Sequence, residues 1–150
     1  MKIHEASLVY RVVQDGPSAG PLDSPQKAYD YLAGAFDTDP TVEWFVVILL
    51  NRKHHPLGRV PVTRGTASSA LVHPREVFKP AIAASASAVI VAHNHPSGDP
   101  TPSRADIQIT RQLKQASEVI GIDLLDHLVI GEPGDVCARG FYSFQESGLL

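Results

Sequence analysis

The feature that most constrains the fold of this chain is an uninterrupted, β-rich apolar run that follows Glu43 and ends at residue 50. A strand with one face in water alternates apolar and polar residues, whereas a strand covered on both faces is apolar throughout. The run therefore predicts a central strand with other structure packed on each side of it. A second, shorter run at residues 88–92 predicts another buried strand.

Capping and turn signals divide the rest of the chain into helices and strands. Ser24 followed by Pro25 is typical of a helix start, and Gly121 is typical of a helix end. The predicted helices cover residues 24–35, 74–87 and 103–121, and the further predicted strands cover residues 8–13, 59–64, 124–130 and part of 141–150. Strands that alternate with helices, together with a hairpin after residue 50, predict an α/β fold: a mixed β-sheet sandwiched by helices.

Prolines and apolar positions add detail to these elements. Pro56 and Pro61 predict that the second strand of the hairpin is an edge strand or a distorted one. Pro80 interrupts the pattern of the second helix, and residues 16–21 predict a loop. The residues expected on buried helix faces are Val77, Phe78, Ala81, Ile82 and Ala84 in the second helix and Ile107, Leu113, Ala116 and Ile120 in the third.

Length and composition predict one globular domain over residues 1–150, with 43% hydrophobic and 19% charged residues. No apolar segment approaches the ~20 residues that cross a bilayer, and the N-terminus lacks the apolar region of a signal peptide, so we expect a cytoplasmic protein with no membrane partner. Cys137 is the only cysteine, which excludes an internal disulfide and a cysteine-based zinc site. A net charge of −3 does not favour nucleic acid as a partner.

Two histidines, His93 and His95, directly follow the apolar run at residues 88–92. Side chains at i and i+2 of an extended chain point to the same side, so both imidazoles can face one point just past the end of the strand. Asp106 can supply a third ligand, and three protein ligands leave one position of a tetrahedral zinc ion open. This spacing predicts a catalytic type of zinc site rather than a structural one.

The segment from Ser103 to Asp106 has two interpretations. Ser-x-x-Asp at a helix start is similar to a capping box, with Ser103 as N-cap and Asp106 at the third helical position. The same rigid first turn also suits fixed metal ligands, and the two roles are compatible. Asp99 is a competing carboxylate, but its Ser-Gly-Asp-Pro context is more typical of a turn.

A catalytic zinc site also needs a group that takes a proton from the attacking water. Glu43 stands at the head of the strongest predicted strand, where a charge is costly to bury without a partner. It is therefore a candidate general base. The alternative is that Glu43 marks a solvent-facing strand end.

These residues resemble the JAMM/MPN+ metalloprotease motif, which has His-x-His, seven residues, Ser-x-x-Asp and an upstream glutamate on a strand. The flanking sequence is similar to the RadC-like bacterial branch of that family. The resemblance extends from about residue 24 to residue 150, and the matching segments are 43–51, 64–66, 74–76, 93–106, 126–131 and 143–148. The fold that it implies is cytidine-deaminase-like, an α/β sandwich of the JAB/MPN type.

The resemblance implies that His93, His95 and Asp106 ligate Zn²⁺, with water in the fourth position. It implies that Glu43 is the general base for this water and returns the proton to the leaving amine, while Ser103 hydrogen-bonds the oxyanion of the tetrahedral intermediate. The implied function is a zinc metallopeptidase, a hydrolase of peptide or isopeptide bonds in a peptide or protein substrate. The pair Asp126-His127 belongs to the resemblance but has no assigned role.

The alternative function is a DNA-associated accessory module, in line with the DNA-repair name of the RadC-like family, with a structural or vestigial metal site. It predicts salt-dependent DNA binding, against which the acidic net charge counts. RadC-like proteins also carry an N-terminal helix-hairpin-helix module, and the segment before Glu43 is too short and too strand-like to predict one. The letters His93-Asn94-His95 do not predict an HNH nuclease, whose motif spreads over a ββα element, and the signatures of zinc deaminases and HExxH proteases are absent.

Overall fold

The computed structural model describes residues 1–11, 20–65 and 72–150. Within these residues the chain forms three helices and five strands, in the order α1 (Pro25–Tyr31), β1 (Trp44–Leu50), β2 (Pro56–Arg64), α2 (Pro74–Ala83), β3 (Ala88–Asn94), α3 (Arg104–Ile120), β4 (Asp123–Ile130) and β5 (Phe141–Ser143). None of the helices in this part of the chain is long and apolar enough to cross a membrane.

The five strands form one mixed sheet in the order β2-β1-β3-β4-β5. Strand β1 pairs antiparallel with β2 and β3, β3 pairs parallel with β4, and β4 pairs antiparallel with β5. Helix α3 is the crossover that connects the parallel strands β3 and β4. This architecture confirms the predicted α/β class with a mixed sheet.

Helices cover both faces of the sheet, and each face has its own apolar core. On one face, α2 and α3 contribute Phe78 and Leu113; on the other face, α1 contributes Ala28. Successive residues of β1 alternate between the two cores, so that Val47 packs in the first and Val46 in the second. The continuous apolar run in the sequence is therefore explained, because both faces of β1 are buried.

Strand β2 lies at the edge of the sheet, next to β1, as its prolines predicted. Phe45 pairs with Thr63, but the next residue, Val46, pairs with Pro61, so the register shifts by one residue at this point. Because proline lacks the N–H group that a ladder needs, it is tolerated at an edge or a bulge. Here Pro61 lies at both.

The predicted helix starts are confirmed, whereas two predicted ends are too late. Ser24 caps α1 by accepting a hydrogen bond from the N–H of Lys27, and Pro25 occupies the first turn. Helix α1 ends at Tyr31 and gives way to turns, so it does not continue to residue 35. Helix α2 ends at Ala83, just before Ser85, whose φ of +53° cannot continue a right-handed helix.

The predicted first strand is wrong for residues 8–11, which have no regular secondary structure and are exposed. Strand propensity alone does not form a strand without a neighbour to pair with. Instead of joining the ladder, Tyr10 lies with its ring 3.8 Å from where a Cβ on Gly58 would be. Residues 12 and 13, and residues 16–19 of the predicted loop, lie outside the described part of the chain.

The apolar faces predicted for α2 and α3 are only partly correct. Val77, Phe78 and Ala81 are buried as expected, but Ile82 is 58% exposed and Ile120 is 40% exposed. The buried stripe of α3 consists of Asp106, Ile109, Thr110, Leu113 and Ser117. Its hydroxyls are tolerated because each donates a hydrogen bond to a carbonyl in the preceding helical turn.

Candidate metal centre

Three elements meet where β1 starts and β3 ends, and they bring the predicted site residues together. Strand β1 is antiparallel to β3, and Phe45 pairs with His93, so the start of β1 lies beside the end of β3. Glu43 directly precedes β1, His93 lies in β3 and His95 follows β3. Asp106 is in the first turn of α3, which begins at this same end of the strands. The structure thus assembles residues that are far apart in the sequence.

The nitrogen and oxygen atoms that the three predicted ligands would offer to a metal ion lie close together. His93 Nε2 is 3.1 Å from His95 Nε2 and 3.2 Å from Asp106 Oδ1. His95 Nε2 is 3.3 Å from Asp106 Oδ2. Ligand atoms about 2.0–2.1 Å from a tetrahedral zinc ion are themselves about 3.3 Å apart. The spacing of the three side chains therefore fits one metal ion.

The chemistry of these atoms also fits a cation. His95 Nδ1 is 2.8 Å from the carbonyl oxygen of Asp99, which can only accept, so Nδ1 carries the proton and Nε2 presents a lone pair. The oxygens of the Asp106 carboxylate are acceptors as well. Electron pairs thus face one another across the cluster. A proton on Nε2 would let His95 donate to Asp106, and this bond raises the pKa of His95, so the cluster favours a positive charge between these atoms.

Asp106 is held in place by the capping box that starts α3. Its Oδ2 accepts a hydrogen bond from the backbone N–H of Ser103 at 2.7 Å, and Ser103 Oγ accepts one from the N–H of Asp106 at 3.1 Å. The hydrogen bond from the N–H of Ser103 and the position of the carboxyl in the first turn of α3 both favour the ionised form of Asp106. An ionised carboxylate is therefore fixed beside the two histidines, and the helix cap orients it.

Asp99 contributes its backbone to the site, and its carboxylate forms the turn that the sequence predicts. Its Oδ1 accepts a hydrogen bond from the N–H of Thr101 at 2.9 Å. The hydrogen bonds from Thr101 lower the pKa of Asp99. The carbonyl of the same residue contacts His95, so this turn orients a predicted ligand without supplying one.

Glu43 is the fourth polar side chain beside this cluster, at the start of β1. Its Oε1 is 4.0 Å from His93 Nε2, which is too far for a direct hydrogen bond and near enough for one through a water molecule. Its side chain is 14% exposed. Burial raises the pKa of Glu43, and the nearby His93 opposes this effect. A carboxyl with a raised pKa accepts and returns a proton near neutral pH more readily than a fully solvated one.

Asn94 fixes the backbone on both sides of Glu43. Its Oδ1 accepts a hydrogen bond from the N–H of Trp44 at 2.7 Å, and its Nδ2 donates one to the carbonyl of Val42 at 3.0 Å. The side-chain amide thus continues the β1–β3 ladder past the last backbone pair. Sequence reasoning missed this role, although the position of Asn94 between the two histidines was a signal.

The loop that carries His95 is fastened to the end of β4. The N–H of His95 donates to the carbonyl of Ile130, and the N–H of Glu132 donates to the carbonyl of Gly98, both at 2.8 Å. A Cβ on Gly131 would lie 2.2 Å from the oxygen of Gly98, so only glycine permits this approach. The loop is therefore held by backbone contacts on both sides of its bend.

His127 contacts His93 Nδ1, the ring nitrogen that does not face the other two predicted ligands. No role was assigned to His127 from the sequence. Its ring is fully buried, with Nε2 and Nδ1 in contact with His93 and with Thr110, respectively. Burial holds the pKa of His127 well below its usual range, so the ring is neutral near pH 7. A histidine inside the apolar strand at residues 124–130 was the available signal, whereas its partner Thr110 had none.

Comparison with known proteins places this chain among relatives that share most of its length. The model of the RadC-like JAB domain family matches residues 22–149. A UPF0758 protein of Symbiobacterium thermophilum is 53% identical over 129 residues, which are 86% of this chain and 52% of that relative. A UPF0758 protein of Geobacter sulfurreducens is 44% identical over 127 residues, which are 85% of this chain and 52% of that relative. The chain therefore spans about half the length of the curated relatives that it matches.

Proposed function

Because this chain belongs to the family of RadC-like JAB domains, we propose that it is a zinc-dependent hydrolase of peptide or isopeptide bonds. The observation that carries the proposal is the position of Glu43, whose carboxyl is 4.0 Å from His93 Nε2 beside a cluster of three metal-binding side chains. A structural zinc site fills all four positions with protein ligands and has no use for such a group. The arrangement therefore favours a catalytic site.

His93, His95 and Asp106 would hold the zinc ion. When bound, the ion supplies Lewis-acid chemistry, because it polarises a carbonyl group and lowers the pKa of water from about 15.7 toward ~7. With two neutral imidazoles and a single carboxylate as ligands, the protein leaves the site with net positive charge. Such a site favours a substrate group on which negative charge develops, such as the carbonyl oxygen of an amide.

Glu43 would act first as a general base and then as a general acid. Its carboxylate takes a proton from the attacking water and later gives that proton to the leaving amine. The pKa of Glu43, which burial raises, assists the second role, since the protonated carboxyl must persist until the amine departs. Asn94 supports both steps because it fixes the backbone on each side of Glu43.

Ser103 would donate a hydrogen bond to the developing oxyanion. In the capping box, Ser103 Oγ accepts from the N–H of Asp106, and this bond uses a lone pair and not the hydroxyl proton. The residue is exposed at the start of α3, where a substrate can reach it. A single donor at an oxyanion contributes about 10²–10³ in rate. The cap and the catalytic role are therefore compatible in one side chain.

The variant Glu43→Gln tests this function most directly. We expect it to keep about one zinc ion per chain, since Glu43 is not a ligand, and to lose at least about 10²-fold in hydrolysis. The probes are a set of fluorogenic peptides and Nε-peptidyl-lysine isopeptides, with zinc content measured by atomic emission. Glu118→Gln, an exposed position on α3, is the matched control and should leave both measurements unchanged.

Full hydrolytic activity of the Glu43→Gln protein would remove Glu43 from the proposed role. If the wild-type chain binds zinc, cleaves none of the probes and binds DNA in a salt-dependent way that Glu43→Gln does not alter, the accessory-module alternative is favoured instead.

A further inference from the structure

A chain of buried hydrogen bonds runs from α3 to the back of the metal centre. Thr110 Oγ1 is 2.6 Å from the backbone oxygen of Asp106 and 2.6 Å from His127 Nδ1. His127 Nε2 is 2.8 Å from His93 Nδ1. Thr110 is 1% exposed, and His93 and His127 are 0% exposed, so bulk water does not compete for these contacts.

The positions of the protons in this series of hydrogen bonds follow from the bond at the Asp106 carbonyl. A carbonyl oxygen only accepts, so the single hydroxyl proton of Thr110 is donated to the carbonyl of Asp106. The oxygen of Thr110 can then only accept from His127, which places a proton on His127 Nδ1. Charging the fully buried His127 ring, whose polar contacts are the Thr110 hydroxyl and the His93 ring, would be costly, so the ring is neutral and its Nε2 is an acceptor; the proton in the next bond belongs to His93 Nδ1.

We propose that Thr110 and His127 are positioning residues that fix His93 in the tautomer whose unprotonated Nε2 faces His95 and Asp106. The inference rests on the proposed function only in taking a metal ion to be the group that uses this lone pair. The partner of a metal-binding histidine commonly sets its tautomer and ring orientation in this way.

Aromatic contacts hold both rings in the planes that these hydrogen bonds require. The Phe144 ring stacks on His127 with centroids 4.8 Å apart and an interplanar angle of 11°. The Phe45 ring is nearly parallel to His93, with centroids 5.9 Å apart and an angle of 6°. Phe45 also meets His127 in an edge contact at 5.5 Å. Rotation of either ring would therefore disturb apolar packing as well as the hydrogen bonds.

The two histidines of the metal centre reach the same tautomer by different means. His95 lies in a loop, and it uses a backbone carbonyl, that of Asp99, as the acceptor for its Nδ1 proton. His93 lies inside β3 between two paired strands, where backbone carbonyls are engaged in the ladders. A side chain must then provide the acceptor, and His127 on the neighbouring strand β4 is the residue in reach.

The nitrogen assignments can be measured in the metal-free protein. We expect long-range ¹H–¹⁵N correlation spectra, recorded well above the ordinary histidine pKa of about 6.5, to show both His93 and His127 protonated at Nδ1. A spectrum in which His93 carries its proton at Nε2 would overturn the proposal. If the wild-type chain has the expected tautomers and binds no zinc, the proposed function fails and the positioning of His93 does not.

Variants of His127 test the consequence for metal binding. His127→Phe keeps a buried aromatic ring and removes the acceptor, whereas His127→Gln restores an amide oxygen as an acceptor. With zinc as the only ligand and a chromophoric chelator as competitor, we expect His127→Phe to bind about 10–100-fold more weakly and His127→Gln to recover most of the loss. Wild-type zinc affinity in His127→Phe, or no recovery in a folded His127→Gln, would overturn the proposal.

Variants of Thr110 keep the proposal testable if His127→Phe does not fold. Thr110→Val preserves the shape and removes the hydroxyl, and Thr110→Ser is the matched control that keeps it. In Thr110→Val the reversed chain becomes available, in which His93 Nε2 carries the proton and donates it to Asp106. We expect a mixture of His93 tautomers and several-fold weaker zinc binding in Thr110→Val only. Identical spectra and affinities for the two variants would contradict the role of Thr110.

Discussion

Two buried polar clusters lie on opposite faces of the sheet, although β4 contributes consecutive residues to them. Asp126 lines a small cavity beside α1 together with Ala28, whereas His127 faces α3. In the first, closed cluster, the Asp126 carboxylate accepts hydrogen bonds from the N–H groups of His127 and Gln145 and from the hydroxyl of Ser143, at 2.7, 3.0 and 2.7 Å. Each carboxylate oxygen therefore has a donor from the protein itself.

In the second, open cluster, formed by His93, His95 and Asp106, acceptor atoms approach one another to 3.1–3.3 Å. The two carboxylates are similarly buried, since Asp126 is 4% and Asp106 is 1% exposed. What differs is whether the protein supplies hydrogen-bond donors for all the acceptor atoms of the cluster. A buried cluster that satisfies its own acceptors is complete as a structural unit, whereas one whose acceptors face each other favours a cation between them.

The largest expected effect is the loss of metal from the open cluster. Replacing His95 by Ala removes one of three ligands, so we expect zinc affinity to fall by more than about a hundredfold and stoichiometric zinc to be lost. His4→Ala, an exposed histidine outside the site, is the control. Zinc content would be measured after dialysis against a weak chelator. If His95→Ala retained one zinc ion per chain, the open cluster would not be the metal site.

The closed cluster should respond in stability and not in metal content. Asp126→Ala leaves buried donors at His127, Gln145 and Ser143 without their acceptor, so we expect the free energy of unfolding in urea to fall by about 2–5 kcal/mol. Zinc content should stay at the wild-type level. Asp123→Ala, an exposed aspartate of the same strand, is the matched control. Unchanged stability of Asp126→Ala would show that the two clusters do not differ as described.

The pH dependence of stability sharpens this point. Burial raises the pKa of Asp126, and the hydrogen bond from Ser143 opposes this effect. Because the folded pKa lies above the unfolded value of about 3.9, the contribution of this carboxyl is fully present below that value and is lost as pH rises through the folded pKa. Asp126→Asn is uncharged at every pH. We therefore expect the difference in unfolding free energy between wild type and Asp126→Asn to move against wild type as pH rises from about 4; a shift in the other direction would contradict the assignment.

The smallest expected effect concerns Asn94, whose side chain makes two hydrogen bonds with the backbone beside Glu43. In Asn94→Ala the backbone around Glu43 loses two partners, so we expect hydrolysis to fall about tenfold at unchanged zinc content, less than the ~10² that a full ångström of displacement costs. Asn51→Ala is the control, since Asn51 accepts two N–H bonds in the turn at the other end of β1. It should lower stability without affecting hydrolysis. Equal rates for the two variants would argue against a positioning role of Asn94.

Sequence reasoning predicted the elements whose signals are local, and it failed where a distant partner decides. Ser24, Ser103 and Gly121 mark helix termini correctly because a cap depends on residues within one turn. The strand at residues 8–11 was wrong since β-rich composition cannot reveal the absence of a neighbour. Asn94 was missed because the groups it binds are 50 and 52 residues away in the sequence. The cytoplasmic location and the single-domain organisation stay predictions.

From residue 24 onward, the sequence by itself determined the order of strands and helices and the local arrangement of the three predicted metal-binding side chains. Histidines two apart on an extended chain and a carboxylate at a helix cap follow from backbone periods of a few residues. Only the tertiary structure decided that Glu43 Oε1 lies 4.0 Å from His93 Nε2 and that His127 Nε2 lies 2.8 Å from His93 Nδ1. The physical reason is that the pairing of β1 and β4 with β3 depends on how the two apolar cores pack, and no short stretch of residues specifies that packing.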